Sequence, residues 1–256
     1  MVTITTQSRN YEFFPYSDLA TCRYIADTDF YPQPSTRSME TDVVIRVMLV
    51  DDHAVVRAGY KRFIETDDKI RIVAEASTGE EAYTQLARID VDVIILDLSM
   101  PGQGGFETLR RIINRYAKKK VLIFSMHENP SIARQALQIG ASGYLTKSMD
   151  PEKIILAIHE VWIGGTPIEE SIAKGISELD ARGDPHTGLL PREFEVFLLL
   201  SAGESVDNIC KKLNMSSRTV FNYQTTIRKK MNLHTHIEFN RYAIQRGLIP
   251  NTVNSY

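Results

Sequence analysis

The feature that most constrains this chain is a repeated alternation of two hydrophobic patterns between residues 46 and 163. Short, apolar, β-branched runs recur at Val47–Val50, Ile70–Val73, Val91–Leu96, Val121–Phe124 and Gly143–Leu145. Between them lie stretches with helical apolar spacing, at Glu80–Ala87, Phe106–Tyr116, Ser131–Ile139 and Pro151–Trp162. Strands that alternate with helices are joined by crossovers and pair in parallel. Most of the runs are apolar throughout rather than alternating, as expected when helices cover both sheet faces. The first part of the chain is therefore expected to be an α/β unit with a five-stranded, doubly wound parallel sheet.

Open parallel sheets work at the carboxyl ends of their strands. Asp51 and Asp52 follow the first run, Asp97 the third, Ser125 the fourth and Lys147 the fifth. Three carboxylates, a hydroxyl and an ammonium thus converge on one rim. Clustered carboxylates repel and call for a cation, and Mg²⁺ suits them as a hard ion that takes oxygen ligands. With a cation beside it, Asp97 can act as a nucleophile toward a phosphoryl group. Lys147 then stabilises the phosphoryl oxygens, and Ser125 donates a hydrogen bond to the bound group.

Residues 164–188 break the rhythm with Gly164-Gly165, Pro167 and a charged stretch from Asp180 to His186. They read as a linker holding one short helix near Glu169–Leu179. From Pro191 onward the pattern is helical, with helices expected at 191–201, 205–213, 216–230 and 236–246. Ser216 suits an N-cap and Gly203 a C-terminal stop. Four short helices joined by brief turns make an all-α helix-turn-helix unit. In the third, Val220, Ile227 and Met231 fall on one face. The other face offers Ser217, Arg218, Phe221, Asn222, Thr225, Thr226, Arg228 and Lys229. Asn pairs with adenine, Phe and Thr methyl groups meet thymine methyls, and basic side chains, Lys230 included, neutralise phosphates.

These residues carry a resemblance. Val47-Met48-Leu49-Val50-Asp51-Asp52-His53, Asp97-Leu98-Ser99-Met100-Pro101 with Gly105, and Gly140-Ala141-Ser142-Gly143-Tyr144-Leu145-Thr146-Lys147 resemble the receiver domains of NarL/FixJ-family response regulators. Leu189-Leu190-Pro191-Arg192-Glu193-Phe194-Glu195-Val196, with Ile209, Leu213, Ser216, Thr219-Val220 and Ile227, resembles the LuxR-type helix-turn-helix. The resemblance implies a receiver domain over 45–163, a linker over 164–188 and a DNA-binding domain over 189–256. It implies that Asp97 accepts a phosphoryl group from a sensor histidine kinase. It implies that Asp52, Asp97, the Ser99 carbonyl and, through water, Asp51 hold Mg²⁺, and that Ser125 and Tyr144 form a switch pair, the hydroxyl moving toward the phosphate and the ring turning inward on phosphorylation. It further implies a phosphorylation-dependent homodimer on duplex DNA, paired through residues 236–246 or through the face near Tyr144. Four positions depart from the family pattern: Leu190 replaces a capping Ser or Thr, Asp207 a Lys, Phe221 a Lys and Tyr223 a His.

Charge distribution agrees. The whole chain has a formal net charge of -2, yet residues 187–256 carry nine Lys or Arg against five Asp or Glu. Cys22 and Cys210 have no metal-ligand spacing and fit a reducing, cytoplasmic setting. The sequence holds no apolar run of membrane-spanning length and no secretory pattern at its start. Residues 1–44 are acidic and aromatic-rich, fit neither domain and have no assigned role; Met39 offers an alternative start. Three rival readings are a receiver whose helical domain binds protein, a receiver with an enzymatic output, and a DNA-binding regulator that ignores phosphorylation, which the full acidic pocket with Ser125 and Lys147 speaks against. The C-terminal helices hold no nucleophile–base pair, metal-ligand set or Gly-rich phosphate loop. No catalysis is therefore expected beyond the receiver's own phosphoryl transfer and dephosphorylation.

Overall fold

The computed structural model describes residues 43–100 and 104–250. The N-terminal segment before residue 43, with Met39 and Cys22, lies outside the described residues, as does Pro101. Strands β1 (Ile45–Val50), β2 (Ile70–Ala76), β3 (Val93–Leu96), β4 (Lys120–Ser125) and β5 (Gly143–Thr146) form one sheet in the order β2-β1-β3-β4-β5. Every pairing is parallel. Helices α1 (Ala54–Ile64), α2 (Gly79–Leu86), α3 (Gly104–Arg115), α4 (Pro130–Ile139) and α5 (Glu152–Trp162) make the crossovers. β3 and β5 are buried along their whole length. β2, at the sheet edge, alternates buried residues with more exposed ones, as a strand with one open side does. α1 was not among the helices expected from spacing. Val56, Tyr60, Phe63 and Ile64 recur at helical spacing, with Tyr60 and Phe63 packed against the core on that side of the sheet, while Val55 on another face is 85% exposed.

Strand order reverses between β1 and β3, and the crevice outside their carboxyl ends is where such sheets bind ligands. Gly105 shapes that end. A Cβ there would stand 2.3 Å from Leu98 Cα and 2.6 Å from the Asp97 carbonyl oxygen. Both are backbone atoms with no freedom to yield. Gly105→Ala is therefore expected to cost about 1–3 kcal/mol of stability through overpacking, read as a lower urea midpoint at unchanged slope.

The segment expected as a linker is more structured than its composition suggests. α6 spans Glu170–Arg182, three residues beyond the expected end, and packs on α4. Just before it, Tyr144 N–H donates to the Pro167 carbonyl at 2.9 Å and Glu169 N–H to the Tyr144 carbonyl at 3.3 Å. Pro167–Glu169 thus lies as a short parallel rung along the β5 edge. Buried Ile168, Ile172 and Ile176 join the core on the α3–α4 side of the sheet to the core of the C-terminal helices. A tight 3-10 turn, Pro185–Gly188, leads into α7 (Pro191–Ser201), α8 (Val206–Leu213), α9 (Ser217–Met231) and α10 (His236–Gln245).

Local chemistry fixes these last helices. Ser205, Ser216 and Thr235 cap α8, α9 and α10 by accepting from the backbone N–H three residues on. Asn214, left-handed at φ 50°, turns α8 into the α9 approach, and Gly203 at φ 81° follows α7. Leu190 has no side-chain acceptor for the start of α7. Half of a capping box survives there, because Glu193 Oε2 accepts the Leu190 N–H at 2.8 Å.

Candidate functional site

The rim predicted from strand ends is assembled as one pocket. Lys147 Nζ, reaching back from the end of β5, lies 2.6 Å from Asp51 Oδ2 and 2.6 Å from Asp97 Oδ2. Asp97 is 2% exposed and Asp51 7%. Burial works against the Lys147 charge, but its hydrogen bonds to both carboxylates more than compensate and raise its pKa. Burial likewise opposes ionisation of Asp51, and the Lys147 bond reverses this and holds the carboxyl below its ordinary range. Ser99 N–H donates to Asp97 Oδ1 at 3.0 Å, tying the backbone of the loop after β3 to the carboxylate. Arg57 holds the Asp51 carbonyl at 2.5 Å from one turn into α1, a support that the sequence reading missed.

Single donor atoms from Asp51, Asp52, His53 and Asp97 all lie within 4.8 Å of one another. His53 Nδ1 is 3.1 Å from Asp52 Oδ1 but lacks hydrogen-bond geometry, so that buried oxygen has no hydrogen-bond partner. A buried carboxylate oxygen without a hydrogen bond, beside two further carboxylates, fits a hard divalent cation such as Mg²⁺.

Ser125, the last residue of β4, is fully buried, and its Oγ accepts the His127 N–H at 3.4 Å. Tyr144 is also fully buried, with its hydroxyl donating to the His127 carbonyl at 2.8 Å. The ring therefore already lies inward in this structure. Burial, reinforced by the charge of Asp97, pushes its pKa upward.

The other predicted group lies on α9. Val220, Ile227 and Met231 are buried as expected, together with Gln224. Ser217, Arg218, Phe221, Asn222, Thr225 and Lys229 are exposed, and Thr226 and Arg228 are half-buried. Phe221 leaves 53% of its surface in solvent. Thr225 and Thr226 donate their hydroxyls to the Phe221 and Asn222 carbonyls, which leaves their methyl groups and lone pairs for a partner. Lys230 departs from the expected phosphate-facing set: its Nζ is 2.7 Å from Glu193 Oε2 and also donates to the Gly188 carbonyl. These two acceptors, at the start of α7 and in the turn before it, let Lys230 brace α9 against α7. Tyr223 is half-buried against the core rather than displayed on the open face.

Between pocket and helices lies a polar junction that the sequence did not reveal. His186 is buried, with Nε2 2.7 Å from Ser131 Oγ on α4 and Nδ1 2.8 Å from the Tyr242 hydroxyl on α10. Burial, reinforced by Arg246, Arg134 and Arg182 against the opposing Asp184, lowers its pKa to about 4, so the ring is neutral at pH 7. Glu107 and Arg110 on α3 interlock with Arg192 and Glu195 on α7.

Comparison with known proteins matches both halves. Residues 47–159 match the response regulator receiver domain, and residues 188–243 match the bacterial regulatory proteins of the luxR family. The response regulator UvrY of Escherichia coli K12 is 36% identical over 209 residues, covering 80% of this chain and 96% of the relative. The transcriptional activator protein ExaE of Pseudomonas putida is 35% identical, covering 79% and 97%. Among solved structures, RcsB from Salmonella enterica serovar Typhimurium, bound to promoter rprA with a beryllofluoride phosphomimetic, aligns with a TM-score of 0.65. It is 26% identical and covers 78% of this chain and 98% of that one.

Proposed function

Because this chain belongs to the response-regulator family, with a receiver domain joined to a LuxR-type DNA-binding domain, we propose that Asp97 phosphorylation controls its binding to DNA. The observation that carries the reading is the pocket itself. Lys147 bridges Asp51 and Asp97 while one buried oxygen of Asp52 has no hydrogen-bond partner.

In this reading residues 45–163 are the receiver, 164–188 the connection and 189–256 the DNA-binding domain. A sensor histidine kinase presents a phosphohistidine, and an Asp97 carboxylate oxygen attacks phosphorus as the P–N bond breaks. Asp52, Asp97, the Ser99 carbonyl and, through water, Asp51 would hold Mg²⁺, which would supply charge neutralisation when bound. Lys147 shifts from sharing two carboxylates to meeting the phosphoryl oxygens. The Ser125 hydroxyl turns from the His127 N–H toward the phosphoryl group, and Tyr144 holds the space behind it. This is a local charge change biasing a two-state element.

The DNA-binding domain then presents α9 to a major groove. Arg218, Arg228 and Lys229 meet phosphates, while Phe221, Asn222, Thr225 and Thr226 meet base edges, with Ser217 at the helix start. A homodimer reads paired half-sites. The end helix α10 is available for pairing, with Ile237 73% exposed. The face near Tyr144 is a weaker candidate, because Pro167–Glu169 already occupies that sheet edge. The regulator works in the cytoplasm beside the chromosome; no described helix is long and apolar enough to cross a membrane.

The test measures affinity for genomic duplex fragments with and without beryllofluoride plus Mg²⁺, at two salt concentrations. Fragment-selective binding that tightens with the mimic and weakens with salt is the expected result. Binding that ignores the mimic removes Asp97 from control. Absence of binding in both states replaces DNA by a protein partner.

A further inference from the structure

Asp51, which opens the acidic pair after β1, is held on every side. Its N–H donates to the Ala76 carbonyl at the end of β2, at 3.1 Å. Its carboxylate accepts the His53 N–H at 2.8 Å and Lys147 Nζ at 2.6 Å. Its carbonyl accepts Arg57 Nη1 at 2.5 Å. The first three contacts come from the neighbouring strand, the local turn and the pocket lysine. The fourth is a guanidinium brought in from α1.

That guanidinium is a costly group to place there. Only 16% of the Arg57 side chain is exposed. Its Nε is buried without a hydrogen bond, and lies 3.9 Å from Glu75 Oε2. The same carboxylate is engaged by Lys61 Nζ, 2.8 Å from its other oxygen. A buried cation with an unmet N–H destabilises the fold, and an apolar side chain would spare that cost. Stability of α1 is therefore a poor reason for an arginine at this position. Its best contact is the carbonyl of Asp51. With Asp51, Tyr60, Asp97 and Phe124, Arg57 also lines a cavity of about 10 Å³ beneath the pocket. Removing the guanidinium would widen that space under the carboxylates.

We propose that Arg57 is a positioning residue for the divalent-cation site, fixing the Asp51 backbone so that the Asp51 and Asp52 carboxylates face the ion in one geometry. The inference rests on the pocket reading above. Groups that orient metal ligands from behind commonly change metal affinity by roughly 10–100-fold without touching the ion. Mg²⁺ is sensitive to such support because it demands near-ideal octahedral geometry. A planar guanidinium suits the task. One nitrogen takes the carbonyl after β1 while another faces Glu75 of β2, so the ends of two strands are held to one rigid fork.

Charge and position predict opposite signs here. Arg57 is a cation near a cation site, so by charge alone its removal tightens Mg²⁺ binding. By position its removal weakens binding, because the two carboxylates lose their common geometry. Arg57→Gln and Arg57→Lys in the full chain separate the two. Mg²⁺ alone is the probe, followed through the backbone amide signals of Asp51, Asp52 and His53. Phosphorylation by a small phosphodonor is measured over the same Mg²⁺ range. Arg57→Gln is expected to weaken Mg²⁺ binding about 10–100-fold and to regain the wild-type phosphorylation rate at saturating Mg²⁺. Arg57→Lys keeps the charge and one donor but not the fork, and is expected to fall between Arg57→Gln and wild type. A merely structural role would lower the urea midpoint and leave the Mg²⁺ affinity of the folded protein unchanged. That result, or tighter binding, overturns the proposal. Should Arg57→Gln not fold, Arg57→Lys carries the same test: weaker Mg²⁺ binding than wild type supports the proposal, and equal or tighter binding overturns it. Failure of the wild type to bind Mg²⁺ overturns the pocket reading and the positioning with it.

Discussion

Asp97→Asn abolishes covalent phosphoryl incorporation, whether the donor is a histidine kinase or a small phosphodonor. The amide cannot attack phosphorus, and Asp51 and Asp52 cannot replace it. Asp51 lies 2.6 Å from the same lysine but follows β1 rather than β3, the strand that carries Asp97. Asn at 97 keeps the shape, and Lys147 keeps Asp51 as a partner, so the fold persists. The expected pattern is an intact circular-dichroism spectrum with incorporation at background by phosphate-affinity electrophoresis. Lys147→Ala leaves the nucleophile but deletes the donor aimed at the developing charge; a drop of about 10²–10³-fold in phosphorylation rate follows. Incorporation in the Asn variant equal to wild type would move the phosphoacceptor elsewhere.

Asn222→Ala and Lys229→Ala weaken DNA binding in different ways. Asn222 is exposed at the middle of α9, where a side-chain amide can pair with adenine in two places. Its loss is expected to cost about 1–3 kcal/mol on the preferred site and little on random duplex, so selectivity falls. Lys229 is exposed in the last turn, with no carboxylate partner among the described ion pairs. Its loss lowers affinity on all sequences alike and reduces the slope of log K against log salt by about 0.9. Titrations at several salt concentrations on both duplexes separate the two. Identical behaviour of the variants would mean that α9 reads phosphates only. Lys230→Ala serves as the contrast, because its ammonium is already spent on Glu193.

What the sequence displayed well was whatever repeats or sits at an element boundary. Strand β3 shows four apolar residues in a row because both faces are covered, and the carboxylate after it announces the rim. Lys147 could be placed because β5 is short and its end is sharply marked. Residues whose role depends on distant partners were invisible. His186 stands in a polar, turn-rich stretch that reads as a loop; only folding brings Ser131 and Tyr242, each more than 50 residues away, to its two nitrogens. Lys230 resembled its neighbours Arg228 and Lys229 until the packing of α7 put Glu193 beside it. α1 carries its apolar face at Val56, Tyr60, Phe63 and Ile64, but that spacing begins directly after the acidic strand end and was not read as a helix.

The rung formed by Pro167–Glu169 also sets where this receiver can be cut. β5 would otherwise be an edge of the sheet, with a row of unpaired amides and carbonyls ready to template another strand. The rung occupies Tyr144 on both its backbone groups, and the Thr146 hydroxyl fastens to the Glu169 carboxylate at 2.5 Å. A fragment ending at residue 163 keeps all five strands yet leaves this margin bare. It would pair through β5 with copies of itself, and a dimer seen in such a fragment would report the missing rung rather than the protein's own partner choice.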